Sequence, residues 1–260
     1  MSAIERILYQ TNGGIAAITL NRPEKRNAID GLLIEELKAA FAAARTDDQV
    51  RVVTLTGAGK DFCSGADLVG LEKVRHAGVM ANMEDARAMA ELFIAMRRHP
   101  KMIIALVKGR ALAGGCGLAT ACDLILAEDT ATFGYPEVNI GFVPAIVMAM
   151  LRRSVPEKRA LELITSGDPI TAIHARELGL INQVFPAGDF DENALGFVKK
   201  FEGRSGSALS LTKNLLYHMD TLSFEAAIEA GVHVNGIARM TEDCQTGIDR
   251  FLKKSTQSET

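Results

Sequence analysis

Apolar and β-branched residues are concentrated over residues 4–10 and 15–20, on either side of Asn12-Gly13-Gly14. That pattern predicts two strands joined by a tight hairpin turn. A polar loop, Asn21 to Asn27, follows. Behind Asp30, a residue suited to an N-cap, Leu33, Ile34, Leu37 and Phe41 then recur at helical spacing. Val52 to Thr56 is a short β-branched run ending in Gly57-Ala58-Gly59, which predicts a buried strand feeding a loop. Residues 81–98 predict a helix stopped by Pro100, and Met102 to Val107 a second buried strand. That strand runs into a glycine-rich loop, Gly109 to Gly115, then a short helix to about Cys122 and a third strand from Leu124 to Ala127.

Strands that are apolar throughout and separated by helices imply a parallel sheet covered on both faces. Beyond Pro144 the pattern turns helical. Ser154-Val155-Pro156-Glu157 has capping-box spacing, and further helices are expected to start near Thr171, Ser207, Ser223 and Thr241. The chain therefore reads as an α/β core over 1–190 and an all-helical region over 191–260.

Composition narrows the classes. Hydrophobic residues make up 48% and charged residues 23% of the 260, enough apolar surface for a sizeable core. No run approaches the roughly 20 consecutive apolar residues of a membrane span, and the N-terminus lacks a basic-then-apolar leader pattern, so a cytoplasmic protein without a membrane partner is expected. A net charge of −3, no Trp and three Tyr argue against nucleic acid as a partner. Cys63, Cys116, Cys122 and Cys244 form no Cys-x-x-Cys pair, and His76, His99, His174, His218 and His233 are scattered. Reduced, buried thiols are expected, with no metal site.

Two loops carry candidate chemistry because each follows a buried strand, where open α/β sheets bind ligands. One is Asp61 to Leu68. The other is Ala113-Gly114-Gly115-Cys116-Gly117-Leu118, opening a helix. A glycine at a helix N-terminus leaves an N–H pointing outward with the helix dipole behind it. Paired with a second N–H from the first loop, it can cradle an oxyanion, each donor being worth about 10²–10³ in rate. The segment from Phe133 to Pro144 adds Glu137, an acid in mostly apolar surroundings. Such a carboxylate either pairs with a cation or has its pKa raised, the condition of a general acid/base.

Four segments together resemble the crotonase (enoyl-CoA hydratase/isomerase) superfamily: Asn21-Arg22-Pro23, Phe62 to Leu68, Gly109 to Ala119 with Cys122-Asp123, and Phe133 to Glu137. They stand in the family's order and spacing, and the likeness spans nearly the whole chain. The resemblance implies a ββα spiral with a C-terminal helical trimerisation region, and an acyl-CoA substrate with no separate cofactor. It implies that the N–H groups of Ala66 and Gly114 form an oxyanion hole and that Glu137 is the acid/base. Lys25, Arg26, Ala28, Ser64, Ala66, Asp67 and Leu68 would contact CoA. Phe251 and Lys254 would reach the CoA of a neighbouring subunit, so a homotrimer or dimer of trimers is implied.

One departure shapes the reaction. Hydratases of the family with two carboxylates carry a Glu three residues after the oxyanion-hole glycine, where this chain has Gly117. The substitution is expected to leave an empty space. Three readings follow: a hydratase in which Glu137 serves both proton transfers, a Δ3,Δ2-enoyl-CoA isomerase with one base, or a non-catalytic acyl-CoA-binding scaffold. The wording around Gly114 and Glu137 is similar to bacterial 3-methylglutaconyl-CoA hydratases, which favours the first, with a distal carboxylate of the substrate filling the vacated space. Arg152-Arg153 are read as a solvated helix end, with a grip on that carboxylate as the alternative.

Overall fold

The structure, a computed structural model, describes residues 5–257, apart from the side chains of Leu68, Leu71, Lys73, Val74 and residues 254–257. The chain opens with the hairpin β1 (Ile7–Asn12) and β2 (Ile15–Leu20), followed by α1 (Gly31–Thr46), β3 (Val52–Gly57), α2 (Leu68–His76) and α3 (Val79–Arg97). Next come β4 (Met102–Val107), β5 (Arg110–Leu112), α4 (Gly114–Ala121), β6 (Leu124–Glu128) and β7 (Thr132–Gly134). A 3-10 turn over Pro136–Ile140 leads to α5 (Met148–Ser154), α6 (Glu157–Ser166), β8 (Ile170–Thr171), α7 (Ala172–Glu177) and β9 (Gln183–Phe185). Four helices close the described chain: α8 (Phe190–Glu202), α9 (Gly206–His218), α10 (Phe224–Arg239) and α11 (Glu242–Gln257).

The larger sheet has the order β1-β2-β3-β4-β6-β9, antiparallel only at the β1–β2 hairpin. Its central strands are apolar on both faces because each face is covered. Val53, Leu55, Ile103, Ala105, Ile125 and Ala127 join a core with α1, α3 and α4. The alternate residues Val52, Ile104 and Leu126 pack against Phe190, Ala194 and Val198 of α8. Gly13 takes φ +57 in the hairpin turn, where a residue with a side chain would be strained. The Asp30 carboxylate accepts from Leu33 N at 2.8 Å, the expected cap of α1.

A second sheet, β5-β7-β8, was not expected. The glycine-rich segment read as a loop contains β5, which pairs in parallel with β7 from Arg110–Thr132 to Leu112–Gly134. Strands this short carry no legible alternation, and only the partner strand defines them. The capping box near Ser154 also does not form. Ser154 ends α5 and its hydroxyl donates to Met150 O at 3.0 Å, while Pro156 stands at the N-cap of α6 with no side-chain bond. The intervening turn puts Ser154 on the wrong helix.

The C-terminal helices meet the core at a buried ion pair. Lys213 Nζ of α9 lies 2.7 Å from Asp123 Oδ2, and Tyr217 OH donates to Asp123 Oδ1 at 2.7 Å. By contrast α10 buries none of its side chains within the chain, and Phe224, Ile228 and Val232 are exposed at helical spacing.

Candidate active site

Three segments meet at the start of α4. The loop after β3 runs beside β5: Cys63 N donates to Arg110 O at 3.0 Å and Leu112 N to Cys63 O at 3.0 Å. The Arg110 guanidinium grips Asp61 at 2.8 and 2.9 Å, which holds the Asp61 carboxyl below its usual range. Ala113 N donates to Gly134 O at 2.9 Å, so β7 delivers Tyr135, Pro136 and Glu137 next to the same helix end. Gly115 is where the loop and α4 touch. A Cβ there would overlap Cys63 O and stand 2.7 Å from Cys63 Cβ, so only glycine allows the approach.

Neither predicted donor has an acceptor among the described residues. Ile29 N donates to Gly65 O and Asp67 N to Ile29 O, a parallel bridge that leaves the Ala66 N–H facing the other way, without an acceptor among the described residues. Gly114 N opens α4 and has no acceptor within the helix. The residue before Ala66 approaches this end: a Cβ on Gly65 would stand 3.5 Å from Gly114 N. Ala113 holds this end in a strained conformation, φ 51 and ψ −129, rare for a residue with a side chain. Its N–H bond to Gly134 fixes that conformation and so aims the amide that follows.

Glu137 is half-buried, and its Oε2 is buried with no hydrogen-bond partner among the described residues. Burial pushes its pKa up, opposed by its own backbone N–H. It stands close enough to Cys116 and Tyr135 for its charge to raise both groups. Those two are not reactive alternatives. Burial lifts the Cys116 thiol to about 11, and Tyr135 OH shares a bond of 2.8 Å with Thr120 Oγ1. Cys63 is likewise buried and pushed up to about 12.

A half-buried carboxylate with one unpartnered oxygen, on a segment tied to the helix end where two amides have no acceptor among the described residues, suits holding an oxyanion and moving a proton. The enoyl-CoA hydratase/isomerase family model matches residues 10–258. The chain belongs to that family. A putative enoyl-CoA hydratase of Thermus thermophilus is 38% identical over 242 residues, covering 93% of this chain and 96% of that protein. A 2,3-dehydroadipyl-CoA hydratase of Escherichia coli is 34% identical over 243 residues, covering 93% of each. Among solved structures, an enoyl-CoA hydratase of Mycobacterium smegmatis superimposes with TM-score 0.91 at 29% identity, covering 96% of both chains. The fold is thus that of the crotonases, and the enzyme is of the enoyl-CoA hydratase type.

Within this enoyl-CoA hydratase/isomerase fold, the residues expected to contact CoA divide into two groups. Lys25 and Arg26 are exposed at the end of the 3-10 turn Pro23–Lys25, and Ser64 N donating to Arg26 O at 3.0 Å ties this segment to the loop that carries Ala66. The Asp67 side chain is engaged within the chain. Its carboxylate accepts from Arg22 Nη2 at 2.7 Å and caps α2 at Val69 N at 2.9 Å, and both Arg22 and backbone donation pull its pKa down. Ala28 is buried, its carbonyl accepting from Arg22 Nη1 at 2.6 Å. Asp67 and Ala28 therefore anchor the loop through Arg22. Phe251 is exposed on α11, far along the chain from these loops, while the Leu68 and Lys254 side chains lie outside the described residues.

Sequence reasoning passed over Asn27, which is fully buried at the joint between loops. Its side chain accepts from Arg22 N and donates to Ala58 O and Asp61 O. An Asn directly before an apolar pair, inside a polar loop, was the available signal. Arg153 is paired with Asp220 and Arg152 with Glu157, consistent with a helix end.

The space at Gly117 is not empty. A Cβ on that residue would overlap Val147 Cγ1 and stand 3.5 Å from Phe93 Cζ. The expectation of a vacated polar space is corrected: core packing fills it with hydrocarbon, so a substrate carboxylate finds neither room nor partner there.

Proposed function

We propose that this chain adds water across the α,β double bond of an enoyl-CoA thioester, with Glu137 as the single acid/base and the Ala66 and Gly114 amides as the oxyanion hole. The observation that carries the reading is the unpartnered, buried Glu137 Oε2, on the segment that follows β7 from the start of α4, where the Ala66 and Gly114 amides have no acceptor among the described residues. Ionised Glu137 takes a proton from water as the water oxygen bonds to Cβ. The double-bond electrons move through Cα to the thioester oxygen, where the two amides hold the negative charge. The enolate then collapses, and the protonated Glu137 returns its proton to Cα. Water is consumed and the carboxylate regenerated. Each transfer uses one group, so both occur on one face of the substrate.

A short acyl group, unbranched or branched, suits the apolar neighbours of Gly114, which are Ile29 Cδ1 at 3.6 Å and Met89 Cε at 3.8 Å from a Cβ built there. Motif wording points to 3-methylglutaconyl-CoA, a branched diacid, but the filled space at Gly117 supports a hydrocarbon acyl group over a diacid. The exposed stripe of Phe224, Ile228 and Val232 supports assembly into a homotrimer or dimer of trimers.

Crotonyl-CoA, 3-methylcrotonyl-CoA, 3-methylglutaconyl-CoA and a 3-enoyl-CoA, each followed by the conjugated-enoyl absorbance, test the reading. Loss of absorbance with the monoacids is expected. Absorbance gained from the 3-enoyl-CoA, with no hydration of any conjugated substrate, would replace the hydratase by the isomerase. Silence with all four, alongside tight acyl-CoA binding, would leave the scaffold.

A further inference from the structure

Gly117 and Val147 share one volume. Positions three apart lie on one face of a helix, so Gly117 looks out from the same side of α4 as Gly114. At Gly114 an added Cβ would make only ordinary contacts. At Gly117 it would overlap Val147 Cγ1, with Val147 Cβ at 3.3 Å behind it. Val147 is 5% exposed and Phe93 4%, and both belong to the main core, so neither can swing aside without opening it. Val147 also ends the segment that Glu137 begins, between the 3-10 turn and α5. One loop thus carries both the carboxylate and the residue that fills position 117.

We propose that Val147 is a specificity-determining residue. It occupies, with hydrocarbon, the place a second acid/base side chain would need at position 117, and so holds the site to one carboxylate. The consequence for turnover rests on the hydration reading above; the packing half does not. With one carboxylate, the acid limb of the rate–pH profile has unit slope, because a single group must be ionised.

The test is a double-mutant cycle on the full chain: Gly117→Glu, Val147→Ala and the pair, with Gly117→Ala as a smaller probe of the same overlap. In the Val147 background both position-117 substitutions are expected to lower Tm by about 5 °C or more, as overpacking does. In the Val147→Ala background that penalty should fall to less than half. The Gly117→Glu/Val147→Ala enzyme should show a second ionisation on its acid limb that wild type lacks. Equal Tm penalties in the two backgrounds would overturn the proposal, as would an unchanged acid limb in a folded double variant. Should the double variant not fold, the Gly117→Ala pair decides by Tm alone. A wild type that hydrates no enoyl-CoA would refute the hydration reading, and the Tm cycle would still decide the packing.

Discussion

Two carboxylates are drawn into this fold, and their surroundings differ. Asp123 receives Lys213 Nζ, Tyr217 OH and Ile103 N, each at 2.7 Å. Glu137 keeps one buried oxygen with no donor among the described residues. Burial pushes both pKa values up, but at Asp123 the Lys213 charge and the donated hydrogen bonds oppose it. A carboxylate on which donors converge is a tie between layers, and a proton placed on it would break bonds already made. One left with an idle oxygen can take and return a proton with little rearrangement. The comparison separates an acid committed to structure from the one that the proposed reaction uses, without reference to position in the chain.

The sharpest way to test it is to neutralise each acid. Glu137→Gln keeps the shape and removes the base, so kcat should fall by about 10³ or more while acyl-CoA Kd changes little. Stability should not suffer. A carboxyl whose folded pKa is raised gives its stabilising contribution below the unfolded pKa, and loses it as pH rises through the folded value. The ionised form of Glu137 is therefore a cost, and above the raised pKa the Tm of Glu137→Gln is expected to equal or exceed that of wild type. Turnover of wild type should fall as pH drops through that raised pKa, above the usual carboxylate range. A variant with full turnover would end the assignment.

Lys213→Met should do the reverse. It strands Asp123 in the core and is expected to cost about 3–5 kcal/mol in urea unfolding, with kcat per folded molecule unchanged. A stability loss under 1 kcal/mol would mean that the pair is not the tie described here.

His99 sits beside this tie, fully buried, with Nε2 3.0 Å from Phe41 O. Burial lowers its pKa to about 4, and the neighbouring Lys213 charge pushes the same way. A histidine depressed in the folded state contributes stability above its unfolded pKa. That contribution is lost as pH falls from about 6.5 towards 4. The His99 contribution to the unfolding free energy should therefore drop by about 2–3 kcal/mol across that window, read as the difference in slope between wild type and His99→Gln, because the raised carboxyls of Asp123 and Glu137 act in the opposite sense in both. Equal slopes in the two proteins would contradict the burial argument.

Much of this was legible in the chain, for a physical reason. The strands β3, β4 and β6 are short apolar runs that declare themselves, and Asp30, Ser207 and Ser223 mark helix starts to within a residue or two. Ala66, Gly114 and Glu137 could be nominated from the chain because small residues and a lone acid stand out after buried strands. What stayed hidden depends on partners distant in sequence. The strands β5, β7 and β8 exist only as a set. The anchoring role of Asp67 needs Arg22, 45 residues away. The filling of Gly117 needs Val147, which arrives from a separate loop; a glycine in the sequence reads as a gap, whereas in the core the gap is closed.

The smallest expected effect tests how evenly Asp123 is held. Tyr217→Phe deletes only the hydroxyl that reaches Asp123 Oδ1. The ring would remain under Arg97, whose Cζ lies 3.8 Å from its centroid, and Lys213 would remain on Oδ2. The aromatic and ionic contributions are then unchanged, and the loss isolates one charge-assisted hydrogen bond, about 1–2 kcal/mol. The urea midpoint should shift with its slope constant, since the surface exposed on unfolding is the same. Turnover should hold, because Tyr217 lies at the base of the C-terminal helices rather than at the oxyanion loops. A fall in kcat would mean that α9 and the site are coupled through β6, and the division between the two carboxylates would no longer stand.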